Sequence, residues 1–306
     1  MLGPSKSILM THDRKEKQRK VTFFDFKGLM APVFTCFKND EKCSLNLEYI
    51  DQYAAYLKKN HIKGVLINGI TGEGPAMSLN ERLAHADKWW QVATKYDLIC
   101  MVQIGGASLP DVISMAEQAE YLGVHAVLCL PEVANKPEDI DSLIRYCRLV
   151  TKHCMSRPFF YYHIPRFTGV DFDMSIFCKE AEKTIPYFYG IHYSSPDLQM
   201  GYRCLRDGRV ILLGFDTLFA SGLLLGFDSA ILAVLNIRPD LGYEIMDAMS
   251  KNNLPLAREK QLFLNQTISV QLSRGSEKTG WVGIMKNWFN EDNVAQFSAG
   301  PIRKFQ

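Results

Sequence analysis

Eight short apolar runs, each followed by a longer amphipathic stretch, constrain this chain more than any other feature. The runs occupy residues 28–37, 64–70, 98–106, 126–131, 158–164, 189–195, 210–215 and 229–236. Each is rich in Val, Ile, Leu, Phe or Tyr and reads as a fully buried strand. The stretches between them have helical periodicity. In 47–60 the apolar residues fall at 47, 50, 53, 54 and 57, which is one helix face. Further helices are expected over 80–96, 108–122, 136–153, 173–183, 196–206 and 218–226. Ser78-Leu79-Asn80-Glu81 has the form of a capped helix start. Pro110 and Pro137 stand where a first helical turn tolerates proline.

Strand starts are separated by 36, 34, 28, 32, 31, 21 and 19 residues, with no linker between units. Eight strand–helix units predict an α/β fold, a (β/α)8 TIM barrel. A doubly wound sheet is the alternative. It needs fewer strands or a switch point, and no glycine-rich nucleotide turn follows the first run. A length of 306 residues suggests two domains at about 150 residues each, but a barrel absorbs that length in one. Residues 27–306 are therefore expected to form a single domain. Within it, 237–306 is a C-terminal helical extension, with helical patterns at 239–251, 254–272 and 279–289 packed on the barrel exterior.

The overall charge of +2 is unevenly placed. Residues 1–20 hold six Lys or Arg and two acids, a net of +4, so the rest carries −2. Residues 1–26 read as a basic, disordered, solvated arm on a nearly neutral body. That balance argues against a nucleic-acid or anionic-membrane partner. No apolar run reaches the roughly 18 residues of a membrane span, and the first 26 residues lack the apolar core of a secretory signal. The eight cysteines show no C-x-x-C pair and no zinc-finger spacing. Reduced core thiols in a cytoplasmic protein are expected. No metal is expected either, since no H-E-x-x-H or carboxylate–histidine cluster has suitable spacing.

Barrel sites lie at the C-terminal ends of the strands. The second run ends in Gly69-Ile70-Thr71-Gly72-Glu73-Gly74, a turn whose backbone N–H groups can hold a carboxylate or phosphate. It is not a P-loop, because no lysine follows at the required place. A plain tight connection fits it equally. The fifth run ends in Tyr161-Tyr162-His163-Ile164-Pro165, the sixth contains Gly190-Ile191-His192-Tyr193-Ser194, and the seventh ends in Gly214-Phe215-Asp216-Thr217. Taken singly, Tyr162 fits a core aromatic, His192 a hydrogen-bonded core histidine and Asp216 a helix N-cap. His163 follows Tyr162 and points the other way.

Together these segments resemble the N-acetylneuraminate lyase branch of the pyruvate-dependent class I aldolase family, which includes dihydrodipicolinate synthase. The resemblance runs from about Gly28 to the C-terminal helices. Gly69–Glu73 matches the family's G-S/T-T-G-E, residues 159–165 its F-Y-Y-H-I-P, residues 190–194 its G-L/I/V-K-F/Y-S/T, and residues 214–216 the start of its G-x-D-E. The resemblance implies reversible cleavage of a 2-keto acid sugar to pyruvate and an aldehyde sugar, N-acetylmannosamine for the lyases. It implies a strand-six lysine that forms a Schiff base, a strand-five tyrosine that shuttles a proton, and no cofactor. It further implies that the glycine-rich turn binds the substrate carboxylate, that the strand-seven segment binds sugar hydroxyls, and that the chain is a homotetramer. The chemistry is coherent. Carbon–carbon cleavage leaves a carbanion that an iminium absorbs as an enamine, and a tyrosine relays the proton.

At the lysine position stands His192, and imidazole cannot form an iminium. Lys179 and Lys183 fall on the preceding helix, away from the mouth. Ile70 replaces the first hydroxyl residue of the turn, while Thr71 remains. Thr217 replaces the glutamate after Asp216, and Ala233 replaces a serine in the family's G-S-T-Y-N. Tyr162, Ser194, Gly214 and Asp216 are retained. The catalytic candidates are thus Tyr162 and His192. The binding candidates are Ile70, Thr71, Ser194, Gly214, Asp216 and Thr217, with a 2-keto acid or sialic acid-like molecule as ligand. The expected protein is lyase-like but deficient in Schiff-base chemistry. Alternatives are a lyase with a displaced amine, a non-catalytic keto-acid-binding or regulatory protein, and a changed enzyme in which His192 acts as base beside Tyr162.

Overall fold

The computed structural model describes residues 24–275, 280–293 and 295–303. Its strands are β1 (Gly28–Pro32), β2 (Gly64–Ile67), β3 (Ile99–Gln103), β4 (Ala126–Cys129), β5 (Phe159–His163), β6 (Phe188–Tyr193), β7 (Val210–Leu213) and β8 (Ser229–Ile231). Neighbours pair in parallel, and β8 closes onto β1 through Gly28↔Ser229, Leu29↔Ala230 and Met30↔Ile231. Closure excludes the open doubly wound sheet. The connecting helices are α1 (Ile50–Lys59), α2 (Leu79–Lys95), α3 (Leu109–Leu122), α4 (Ile140–Thr151), the single turn α5 (Pro165–Thr168), α6 (Met174–Thr184), α7 (Leu198–Arg203) and α8 (Phe219–Leu225). Beyond β8 follow α9 (Pro239–Ser250), α10 (Leu254–Arg274) and α11 (Gly280–Asp292).

All eight strands lie within the apolar runs or one residue outside them, but they are shorter. After β1, Val33, Phe34 and Cys36 remain buried although the ladder has ended. Apolarity marks burial, and the loops at this end of the barrel are buried too. Side chains alternate across each strand. Met30, Leu66, Met101, Leu128, Phe160, Tyr162, Leu212 and Ile231 fill the interior. Leu29, Val65, Cys100, Val127, Tyr161 and Ile191 join a second cluster with Tyr53, Trp89 and Phe177 of the helices.

Helix starts follow their caps. Ser78 and Glu81 form the expected reciprocal capping box on α2. The fourth helix does not begin at Pro137. Asp139 accepts the Ser142 N–H at 2.7 Å and starts α4 at Ile140, because a cap satisfies donors that a proline cannot.

The arm is shorter than expected at its inner end. Phe24 and Phe26 are buried in the interior cluster, and the Phe24 ring meets Phe160 edge-on at 5.1 Å. They plug the floor of the barrel, which is worth about 2–3 kcal/mol per ring. The basic residues of the arm lie outside the described residues. The extension is also more than an exterior appendage, since α10 and α11 bond to loops at the mouth, as described below. Among the described residues no helix is long and apolar enough to cross a membrane.

Candidate functional site at the barrel mouth

Tyr162 and His192 are partners in the β5–β6 register and both point inward. Their rings stack with centroids 4.4 Å apart and planes inclined by 24°. His192 is 3% exposed, and neither ring nitrogen finds a partner in hydrogen-bonding geometry. The backbone of Ile231 on β8, two strands along, is the polar group near enough to favour its charged form. Burial pulls its pKa down to about 3, so the ring is neutral at pH 7. Burial, and then the charge of Asp216, hold the Tyr162 hydroxyl above its ordinary value.

The exit of β7 is shaped around this imidazole. A Cβ on Gly214 would collide with His192 Nε2, so only glycine lets the ring lie there. The Ser194 hydroxyl donates to the Gly214 carbonyl at 2.9 Å, and the Gly214 N–H donates to the Tyr193 carbonyl at 2.8 Å. These bonds tie the ends of β6 and β7 together. Asp216 is buried, and its Oδ1 accepts the Val234 N–H at 2.8 Å. It caps the 3-10 turn Ala233–Asn236 after β8 rather than its own helix. Burial pushes its pKa up to about 6 against the backbone hydrogen bonds that lower it. Thr217 is half-buried, and its carbonyl accepts from Asn265 of α10 at 3.1 Å. Gln261, also on α10, donates to the Asp216 carbonyl at 3.1 Å.

The turn after β2 has different architecture. The Glu73 N–H donates to the Ile70 carbonyl and the Gly74 N–H to the Gly69 carbonyl, each at 3.0 Å. These bonds close the turn and leave the N–H groups of Ile70 and Thr71 outside its internal bonding. Thr71 is buried, and Ile70 is half-buried against the interior cluster that contains Tyr162. From the β1 side, the Thr35 hydroxyl donates to the Gly72 carbonyl at 2.5 Å. Asn68, left-handed at φ 59°, bonds to His85 Nδ1 at 2.8 Å. Trp89 donates to His85 Nε2 at 3.0 Å, which sets the tautomer with the proton on Nδ1.

Several supporting residues were not found from the sequence. Glu73, left-handed at φ 53°, turns its carboxylate away from the mouth into a buried pair. Its Oε1 accepts from Lys286 Nζ of α11 at 2.7 Å, and its Oε2 accepts the Arg303 N–H at 2.7 Å. Lys286 also donates to the Pro301 carbonyl at 2.8 Å and sits 4.6 Å from the centre of the Phe37 ring. It is the one lysine buried among the described residues. The structure thus gathers Tyr162, His192, Ser194 and Gly214 into one contact group, with Ile70 packed at the same mouth. It assigns Asp216 and Thr217 bonds that hold neighbouring loops. Among the described residues no group of three or more His, Cys, Asp or Glu could hold a metal ion.

The dihydrodipicolinate synthetase family matches residues 25–279. N-acetylneuraminate lyase A of Xenopus laevis is 31% identical over 280 residues, covering 90% of this chain and 89% of that protein. N-acetylneuraminate lyase of Xenopus tropicalis is 31% identical over 244 residues, or 78% of this chain and 79% of that one. Among solved structures, Proteus mirabilis N-acetylneuraminate lyase superposes with a TM-score of 0.82 at 28% identity, over 91% of this chain and 92% of its own.

Proposed function

The chain belongs to the dihydrodipicolinate synthetase family, and from that premise we propose an N-acetylneuraminate lyase-like protein that binds a small 2-keto acid without forming a Schiff base. Its setting would be sialic acid and amino sugar metabolism, a reading supported by its similarity to N-acetylneuraminate lyases. The observation that carries this reading is His192. It occupies the inward position on β6 where the resemblance requires an amine, stacked on Tyr162 at 4.4 Å. An imidazole can exchange one hydrogen bond with a ligand carbonyl, but it cannot become an iminium.

The ligand would set its carboxylate on the N–H groups of Ile70 and Thr71 and its keto group toward Tyr162 and His192. Ser194 and Gly214 fix the wall beside that group, and Asp216 and Thr217 hold the far rim. Sugar hydroxyls find fewer partners here, because Thr217 and Ala233 stand where the resemblance implies a glutamate and a serine, and Asp216 Oδ1 and the Ser194 O–H already serve Val234 and Gly214. A 2-keto acid therefore fits better than a full sialic acid. Assembly as a homotetramer in the cytoplasm belongs to the same proposal and rests on the family alone.

Two other readings meet specific obstacles. The one lysine buried among the described residues that could serve as a displaced amine is Lys286, and its ammonium is already bonded to Glu73 and Pro301. General base catalysis by His192 conflicts with a pKa near 3, since such a ring takes up a proton only in strong acid. Borohydride reduction in the presence of pyruvate, read by intact mass, tests the proposal. The native chain is expected to stay unmodified and His192→Lys to gain a pyruvyl adduct. A pyruvyl adduct on the native chain overturns it.

A further inference from the structure

The C-terminal end of the chain is knitted to both sides of the ligand turn. Before the turn, the Phe37 N–H donates to the Ala299 carbonyl at 3.0 Å. Within the turn, Glu73 accepts from Lys286 and from the Arg303 N–H, each at 2.7 Å. After it, the Arg303 guanidinium grips both oxygens of Glu81 at 2.8 Å and reaches the Ala76 carbonyl at 3.3 Å. The same guanidinium lies 4.2 Å from the Phe37 ring centre. Asn290 of α11 fastens the segment from behind, accepting the Ala299 N–H at 2.8 Å and donating to the Gly300 carbonyl at 2.9 Å.

None of these groups faces the mouth, yet one of them closes the turn. The Glu73 N–H holds the Ile70 carbonyl and so orients the peptide that carries the Thr71 N–H, while the adjoining Gly74 N–H holds the Gly69 carbonyl and so orients the peptide that carries the Ile70 N–H. We propose that Lys286 and residues 295–303 are positioning elements for the ligand turn, and that carboxylate binding and docking of the C-terminal segment form one coupled equilibrium. The proposal rests on the reading of this turn as the carboxylate site. Coupling is reciprocal: what docks the segment tightens the ligand, and the ligand protects the segment.

Pyruvate is the probe, with calorimetry for affinity and hydrogen exchange of residues 295–303 for docking. Arg303→Ala loosens the segment from its outer side and leaves the buried pair in place. It is expected to raise the pyruvate Kd about tenfold, inside the usual range of coupling between sites. Lys286→Met is expected to do at least as much, and if it fails to fold, Arg303→Ala alone decides. Saturating pyruvate should slow exchange in 295–303 several-fold in the native chain, a response that a merely structural role does not produce. Pyruvate binding with an unchanged Kd in Arg303→Ala, or with ligand-insensitive exchange, overturns the coupling and leaves the binding reading intact. No pyruvate binding by the native chain overturns both.

Discussion

The two sides of the barrel mouth treat polar groups in opposite ways. At the turn after β2, buried charges are paired: Glu73 has Lys286 and a backbone donor, and Lys286 has Glu73 and a carbonyl. At the exit of β6, His192 keeps two unpartnered nitrogens against the face of Tyr162. The first arrangement is a scaffold. Its charges are spent on holding backbone in place, and burial makes each partner depend on the other. The second is neutral and buried without a hydrogen-bond partner, at the position where the proposed reading places a guest's keto group. On the proposed reading, the groups that bind the carboxylate and the position that faces the keto group are thus held by separate parts of one mouth.

The pair at the turn is the largest lever on this contrast. Lys286→Met leaves a carboxylate buried without its cation and is expected to cost about 3–5 kcal/mol in urea unfolding. Adding Glu73→Gln should recover most of that loss, because an amide still accepts from Arg303. Equal destabilisation in the single and double variants would mean that packing, not charge, holds the turn.

An intermediate effect is expected on the other side, in pH dependence. His192 has its folded pKa depressed to about 3 from an ordinary 6.5, so its contribution is present above pH 6.5 and is lost as pH falls toward 3. From pH 6.5 to 5 that loss is about 2 kcal/mol. Asp216 works in the opposite sense. With its pKa raised to about 6, its contribution is present below pH 3.8 and is lost as pH rises through 6. His192→Phe removes the first slope and leaves the second. Its stability relative to the native chain should therefore improve by about 2 kcal/mol between pH 6.5 and 5. Parallel curves for the two proteins would show that His192 has a partner in solution, and the contrast between the two sides would weaken.

The smallest expected effect concerns the strap between β6 and β7. Ser194→Ala removes the donor to the Gly214 carbonyl and is expected to cost about 1 kcal/mol. A much larger loss, read from the midpoint of urea unfolding, would place the Gly214 exit among the rigid parts of the mouth.

Much of the fold was legible because its cause is local. A run of buried residues demands a strand covered on both sides, and a capping box marks its own helix start. That residue 192 is histidine was legible too, since its identity needs no structure. Other features depend on residues far apart in the chain. Glu73 and Lys286 are separated by 213 positions, and Arg303 and Glu81 by 222. No local pattern links them. The arm boundary failed for a related reason: two phenylalanines beside charged residues have no periodicity to declare that they plug a barrel.

From the sequence alone come the number of units, the opposite facing of Tyr162 and His163 and the absence of a lysine on strand six. These depend on residue identity and on the period of two along a strand. Tertiary structure alone decided which polar atoms are free. Asp216 became a tie between two loops, Glu73 turned to the C-terminal segment, and His192 was left neutral and unpartnered. Hydrogen bonding and ionisation depend on which groups share a water-free space, and only the closed barrel brings those groups together.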